Sequence, residues 1–243
     1  KEMFPAPSIF QRVKDSGRII HAFSEFGASK FSQYMCAEAD YHLSDLHGSV
    51  ADLPAYLHAS TGSTLTYVYD FNPDHLEHEH GPFTKEVEDV LLKHEEDVAA
   101  VAAKLPPDTL LVMTADHGQV QREKVYALSE AALAMLKHNP TVEPRSPCFH
   151  VKPGFHDKFA EIFRAEAGQD FALLTADEVE ALGVLGPAPL CPLARERLGD
   201  FMALSPTCHV VWDPDTVSKH VGVHGGMTPG EVQIPVIVVR TPA

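Results

Sequence analysis

A β-strand, an amphipathic helix and a second β-strand follow one another between Thr64 and Ala115, and this succession restricts the fold more than any other part of the chain. Thr64-Leu-Thr-Tyr-Val-Tyr-Asp70 is rich in β-branched and aromatic residues, which suit a pleated, packed surface. From Thr84 to Leu105 the apolar positions Val87, Val90, Leu91, Val98, Val101 and Ala102 recur at helical spacing, with Glu, Asp and Lys on the other face. Pro106-Pro107 stops that helix. Thr109-Leu-Leu-Val-Met-Thr-Ala115 is then a near-continuous apolar run, the pattern of a strand covered on both faces. A βαβ unit of this kind predicts an α/β fold with a mostly parallel sheet between helices and a right-handed crossover.

The flanking segments extend this reading. Ser8-Ile-Phe-Gln11 has the capping-box pattern and predicts a short helix ending at Gly17. Arg18 to Phe23 reads as a strand and Val50 to Leu57 as part of a helix. Between Gln119 and Pro206 the elements shorten: a strand over Ser146–Val151, an amphipathic helix over His156–Ala167, and a strand over Phe171–Leu174. Thr175-Ala-Asp-Glu178 is a second capping box, opening a helix that closes at Gly183. His209–Trp212 and Ile234–Arg240 return to strand character. Residues 1–120 and 207–243 are therefore read as an α/β core, and 121–206 as a small inserted α+β lobe. A chain of 243 residues can bury one substantial core with such an appendage.

Composition excludes several functions. A formal net charge of -15 argues against a surface built for nucleic-acid backbones, which draw on clustered Lys and Arg. No apolar run approaches the roughly 18 residues of a membrane span. Cys36, Cys148, Cys191 and Cys208 are far apart without a Cys-x-x-Cys pair, so packed thiols are expected rather than a zinc ribbon or redox dithiol. The opening, Lys1-Glu-Met-Phe-Pro-Ala-Pro7, has no charged-then-apolar segment and no starting methionine and reads like the middle of a longer chain, so it leaves the compartment open, with a soluble, cytoplasmic protein favoured.

Three short segments carry the chemistry: Asp74-His-Leu-Glu-His78 with Gly81-Pro82, Asp116-His117-Gly118, and His224-Gly225-Gly226. Asp116-His117 falls directly after an apolar strand and Asp74 four residues after the preceding one, and ligands bind at the carboxyl ends of strands in open α/β sheets. Asp74 and His78, four apart, share one side of a helical turn. Glycines after His117 and His224 remove side-chain bulk. Mixed imidazole and carboxylate donors suit zinc, manganese or iron, whereas an all-oxygen shell would have pointed to magnesium or calcium. Asp45, Asp52 and Asp89 read as solvated charges, His42, His47, His58 and His94 have no partner spacing, His80 could support the neighbouring ligand, and Trp212 reads as packing.

Tyr69 to Pro82, Leu110-Leu-Val-Met-Thr-Ala-Asp-His-Gly118 and Val223-His-Gly-Gly-Met-Thr-Pro-Gly230 together resemble the motifs of the nucleotide pyrophosphatase/phosphodiesterase branch of the alkaline phosphatase superfamily. The resemblance spans nearly the whole chain. It implies an alkaline-phosphatase-like core and two divalent metal ions, zinc foremost, with Asp74, His78 and His224 on one and Asp116 and His117 on the other. It further implies hydrolysis of a small phosphorylated substrate, such as a nucleotide or phosphodiester, by in-line displacement. Related chemistries in the superfamily are sulfatase, phosphonate hydrolase and phosphomutase reactions.

Two departures stand out. Glu77 occupies a position where the family usually has Gly, and Lys1 to Asp70 holds neither the strand-end Asp nor the Thr or Ser nucleophile that the resemblance implies. Ser29 is the one weak candidate for a nucleophile turn. The core is accordingly expected to be incomplete at its N-terminus, with the nucleophile upstream of Lys1 and this chain alone inactive; the alternative is an inactive fragment or pseudoenzyme that acts as a binding module.

Overall fold

The computed structural model describes residues 7–24, 29–43, 46–187, 189–211 and 220–242, with only the backbone described for 41–43 and 46–52. Trp212, Asp45 and the side chains of His42, His47 and Asp52 lie outside that description.

The chain begins with α1 (Ile9–Asp15), β1 (Ile19–Ser24), α2 (Lys30–Met35), β2 (Tyr41–Leu43), α3 (Leu46–Ala59) and β3 (Thr64–Tyr69). α4 (Asp74–His80), α5 (Lys85–Ala102) and β4 (Leu110–Thr114) follow. The middle holds β5 (Val120–Gln121), β6 (Val125–Tyr126), α6 (Glu130–Ala134), β7 (Thr141–Glu143), β8 (Ser146–Phe149), α7 (His156–Ala167), β9 (Ala172–Thr175) and α8 (Ala176–Ala181). It closes with α9 (Pro192–Leu198), β10 (Phe201–Leu204), β11 (Val210–Val211), β12 (Gly222–Val223), α10 (Pro229–Val232) and β13 (Val236–Arg240).

Two compact units result: residues 1–75, 88–113 and 237–243 form one, and 76–87 with 114–236 the other. In the first, β2, β1 and β3 make a parallel sheet with β1 in the middle. The helix α1 starts where the Ser8 hydroxyl accepts the Gln11 amide, the first half of the expected capping box, while the Gln11 side chain donates to Asp15 rather than reaching back. Phe10 seals it against Ile20, Ala22 and Cys36, while Phe23 packs with Leu53 and Val101 on α5.

The second βαβ strand departs from expectation. β4 is paired with β13, not with β3, and it is not covered on both faces. Leu110 and Val112 are exposed, as is every residue of β13. An apolar run reports that a strand wants two covers; among the described residues β13 is the one strand hydrogen-bonded to β4, and alternate β4 residues are exposed.

The second unit is built on an antiparallel sheet ordered β7-β8-β10-β9. Phe149, Phe159 and Phe163 are fully buried against it, and Phe171 and Phe201 join the same core. Each such side chain contributes about 1.5–3 kcal/mol on burial. The Thr175 capping box is present in both directions: Glu178 N–H donates to the Thr175 hydroxyl, and the Glu178 carboxylate accepts the Thr175 amide. Of the four thiols, Cys36 and Cys148 are buried and Cys208 partly so. Cys191 corrects the expectation of packed thiols: it is exposed, at the N-cap of α9.

Candidate metal centre

Within the second unit, three separate stretches of backbone are stitched together around the histidines. β5, which follows Asp116-His117-Gly118, pairs antiparallel with β12, which precedes His224. The Val221 amide donates to the His78 carbonyl at 2.7 Å, tying α4 to the same ribbon. The rings of His117 and His224 consequently lie parallel, 3.6 Å between centroids and 11° between planes. His78 stands 5.1 Å from His224. The Asp116 carboxylate accepts the His117 amide at 3.1 Å and lies 3.8 Å from His117 Nε2.

The neighbouring carbonyls fix which ring nitrogen can ligate. Nδ1 of His78 is 2.9 Å from the Gly222 carbonyl, and Nδ1 of His117 is 3.2 Å from the Gly118 carbonyl. A carbonyl only accepts, so in the neutral ring of both residues Nδ1 carries the proton and Nε2 is left as the ligating nitrogen. A ligating histidine is commonly oriented in this way by a second hydrogen bond. All three histidines are partly buried, whereas the Asp116 side chain is mostly exposed. Imidazole nitrogens beside a carboxylate are the donor chemistry of zinc-like cations, so the residues present fit such an ion.

Of the five predicted ligands, His78, His117 and His224 come together in this unit, with Asp116 against His117. Asp74 is the first residue of α4, one turn ahead of His78. Glu77 is an ordinary helical residue between them, so the missing glycine does not break the helix.

Residues 10–226, most of the chain, match the family model described as type I phosphodiesterase / nucleotide pyrophosphatase. The chain belongs to this family. No curated protein sequence matches it.

Solved structures share the fold of this type I phosphodiesterase family member at low identity. Murine ectonucleotide pyrophosphatase/phosphodiesterase 5 superposes with a TM-score of 0.68 at 17% identity, covering 98% of this chain and 64% of that one. An inactive variant of the murine protein in complex with AMP gives 0.66 at 17% identity, with 98% and 64% coverage. Phosphonoacetate hydrolase from Sinorhizobium meliloti 1021, in complex with phosphonoformate, gives 0.65 at 16% identity, covering 97% of this chain and 68% of that one. The chain thus spans 64% of the length of the murine protein.

Several site residues escape the sequence. His220 stacks on His78 at 4.4 Å, and only its spacing of four from His224 hints at it. The buried pair Arg145–Glu231 braces the loop after His224; Thr228-Pro-Gly-Glu231, a capping box, is its one local signal. Ser29 is the N-cap of α2, where its hydroxyl accepts the Ser32 amide at 3.0 Å. His94, which spacing left without a partner, meets Asp70 at 3.0 Å, and Nε2 of His58 lies 3.1 Å from the Lys104 carbonyl. Among the described residues no helix is long and apolar enough to cross a membrane.

Proposed function

We propose that this chain carries the metal-binding part of a site that hydrolyses phosphodiesters or nucleotide pyrophosphates. The observation that carries the reading is the convergence of His78, His117 and His224, from three separate segments, with Asp116 beside them. In this reading Asp74, His78 and His224 hold one divalent ion, Asp116 and His117 a second. The ion is zinc, with manganese or iron as alternatives of similar donor preference. When bound, such a pair lowers the pKa of an attacking hydroxyl and neutralises charge developing on the phosphoryl oxygens.

The chain's own residues prepare this chemistry. The Gly222 and Gly118 carbonyls engage Nδ1 of the two imidazoles and leave Nε2 as the ligating nitrogen. The Asp116 carboxylate is held at the bend by the His117 amide. A small anionic substrate is favoured by the AMP and phosphonoformate complexes of the structural neighbours, both of which present a phosphoryl or phosphonyl group. The hydroxyl nucleophile is assigned to a residue outside this chain, because no Thr or Ser within it matches the family's nucleophile motif.

Two measurements test the proposal. Metal analysis of the purified protein is expected to find two equivalents of zinc, and bis-p-nitrophenyl phosphate is expected to survive incubation with the chain alone. One equivalent or none, bound weakly, would favour the inactive binding module; turnover by this polypeptide alone would place the nucleophile inside it.

A further inference from the structure

We propose that the buried Arg145–Glu231 ion pair is a positioning clamp that holds both histidine loops in register, so that the antiparallel lobe sets the geometry of the metal centre. This rests on the metal-binding reading above for its consequence, though not for its geometry.

Arg145 stands just ahead of β8 and is fully buried, and Glu231 on α10 is 1% exposed. Nε and Nη2 of the guanidinium meet the two carboxylate oxygens of Glu231 fork to fork, the geometry that fixes a carboxylate in plane and direction. The remaining arm, Nη1, donates to the His209 carbonyl at 2.8 Å. Oriented in this way, the carboxylate also accepts the Gly226 amide at 2.8 Å, the Thr228 amide at 3.2 Å and the Thr228 hydroxyl at 2.6 Å. Gly226 is two residues after His224. At the other end of the same residue, the Glu231 backbone carbonyl accepts the Gly118 amide at 2.9 Å, one residue after His117.

One glutamate therefore restrains the backbone next to both stacked histidines, and one arginine restrains the glutamate. The fit is tight: a β-carbon on Gly226 would run into the Arg145 guanidinium. An ion pair buried this deeply is often no more stabilising than an apolar pair of the same shape. An apolar pair, however, has no oxygen with which to hold Gly226 and Thr228. What the charges add is the direction of three hydrogen bonds along one loop, which is a positioning role and not a catalytic one.

The test is the double variant Arg145→Met/Glu231→Gln, which removes both charges and keeps one side-chain acceptor. Two readouts follow: hydrogen exchange at the Gly118 and Gly226 amides in metal-free protein, and zinc affinity by competition with a chromophoric chelator. The variant is expected to keep its circular dichroism and cooperative melting. Exchange at both glycines should quicken at least about tenfold, and zinc should bind about 10–100-fold more weakly, the range seen when the supporting partners of metal ligands are removed. A folded variant with exchange and affinity within about twofold of the parent overturns the clamp. If the double variant does not fold, Arg145→Lys decides, since it keeps the charge and loses the fork: parental exchange and affinity in that variant overturn the proposal, and intermediate values support it. A parent protein that binds no zinc would sink the proposed function, while exchange at the two glycines would still judge the clamp.

Discussion

The backbone amide of Gly118 donates to the carbonyl of Glu231 at 2.9 Å, so the loop bearing Asp116 and His117 is fastened to the segment that follows His224. The approach leaves no room for a side chain: a β-carbon on Gly118 would collide with the Gly230 carbonyl, which is backbone and cannot rotate aside. Gly118→Ala is therefore expected to push the two loops apart, at a cost of about 1–3 kcal/mol for overpacking. Urea melts and zinc competition should register the change together. Alanine tolerated with unchanged melting would mean that the two loops move independently.

His224 contributes a partly buried ring on a loop that Glu231 holds from the other side, so its removal should leave the loop in place. His224→Ala is expected to lose one equivalent of metal, read by elemental analysis after dialysis, with circular dichroism like that of the parent. Unchanged stoichiometry would remove His224 from the ligand set.

Much of this arrangement is legible in the sequence because it is local. The N-cap at Ser8, the capping box at Thr175, the 3.6-residue period of α5 and α7 and the β-branched content of β3 each act over a few residues. The ligand triplets are legible for the same reason, each standing at the end of a readable element. What could not be read depends on distant partners. Nothing near Arg145 announces that its guanidinium faces a carboxylate 86 residues away, or that His78 stacks on His220. The apolar run of β4 specified a covered strand, but cover is supplied by other segments, and β13 is as exposed as β4 itself.

The acid limit of stability should carry the signature of Glu231. Burial alone would raise this carboxyl; hydrogen bonds from Arg145, Thr228 and the Gly226 amide outweigh that effect and hold it below the usual carboxylate range. A group depressed in the folded state binds fewer protons there than in the unfolded chain. Its contribution is therefore complete above the ordinary glutamate value of about 4.3 and is lost as pH falls through the depressed one. Glu231→Gln is expected to cost about 3–5 kcal/mol at pH 7, because it leaves Arg145 buried without its counter-charge. That deficit should shrink as both proteins are titrated below about pH 4.3. Denaturant melts that show the same deficit at pH 7 and pH 3 would contradict the assignment.

Thiol reactivity should separate the cysteines by burial. The Cys148 thiol, on β8 and packed with Val179, Leu198 and Met202, is pushed up to about 11 by burial, which leaves it protonated and shielded at pH 8. Cys191 is exposed. Ellman's reagent should therefore modify Cys191 in the native protein and Cys148 only on unfolding, as peptide mapping of the labelled chain would show. Early labelling of Cys148 would mean that the lobe opens readily.

The strands β4 and β13 present a different liability. Val236, Ile237, Val238 and Val239 are 65%, 51%, 56% and 39% exposed, and no charge interrupts them before Arg240. A short β-branched run without charge, paired on one side by β4, combines an apolar surface with the sequence pattern of strand-mediated association. The chain is expected to bind the dye ANS while still melting cooperatively, and to self-associate as its concentration rises. Val238→Lys should reduce both, and because an exposed side chain contributes little to folding, its melting temperature should stay close to the parent's. Sedimentation velocity and dye fluorescence on the two proteins would check this. A large fall in melting temperature would show instead that Val238 is covered in solution, and the lysine would then have been placed in an interior.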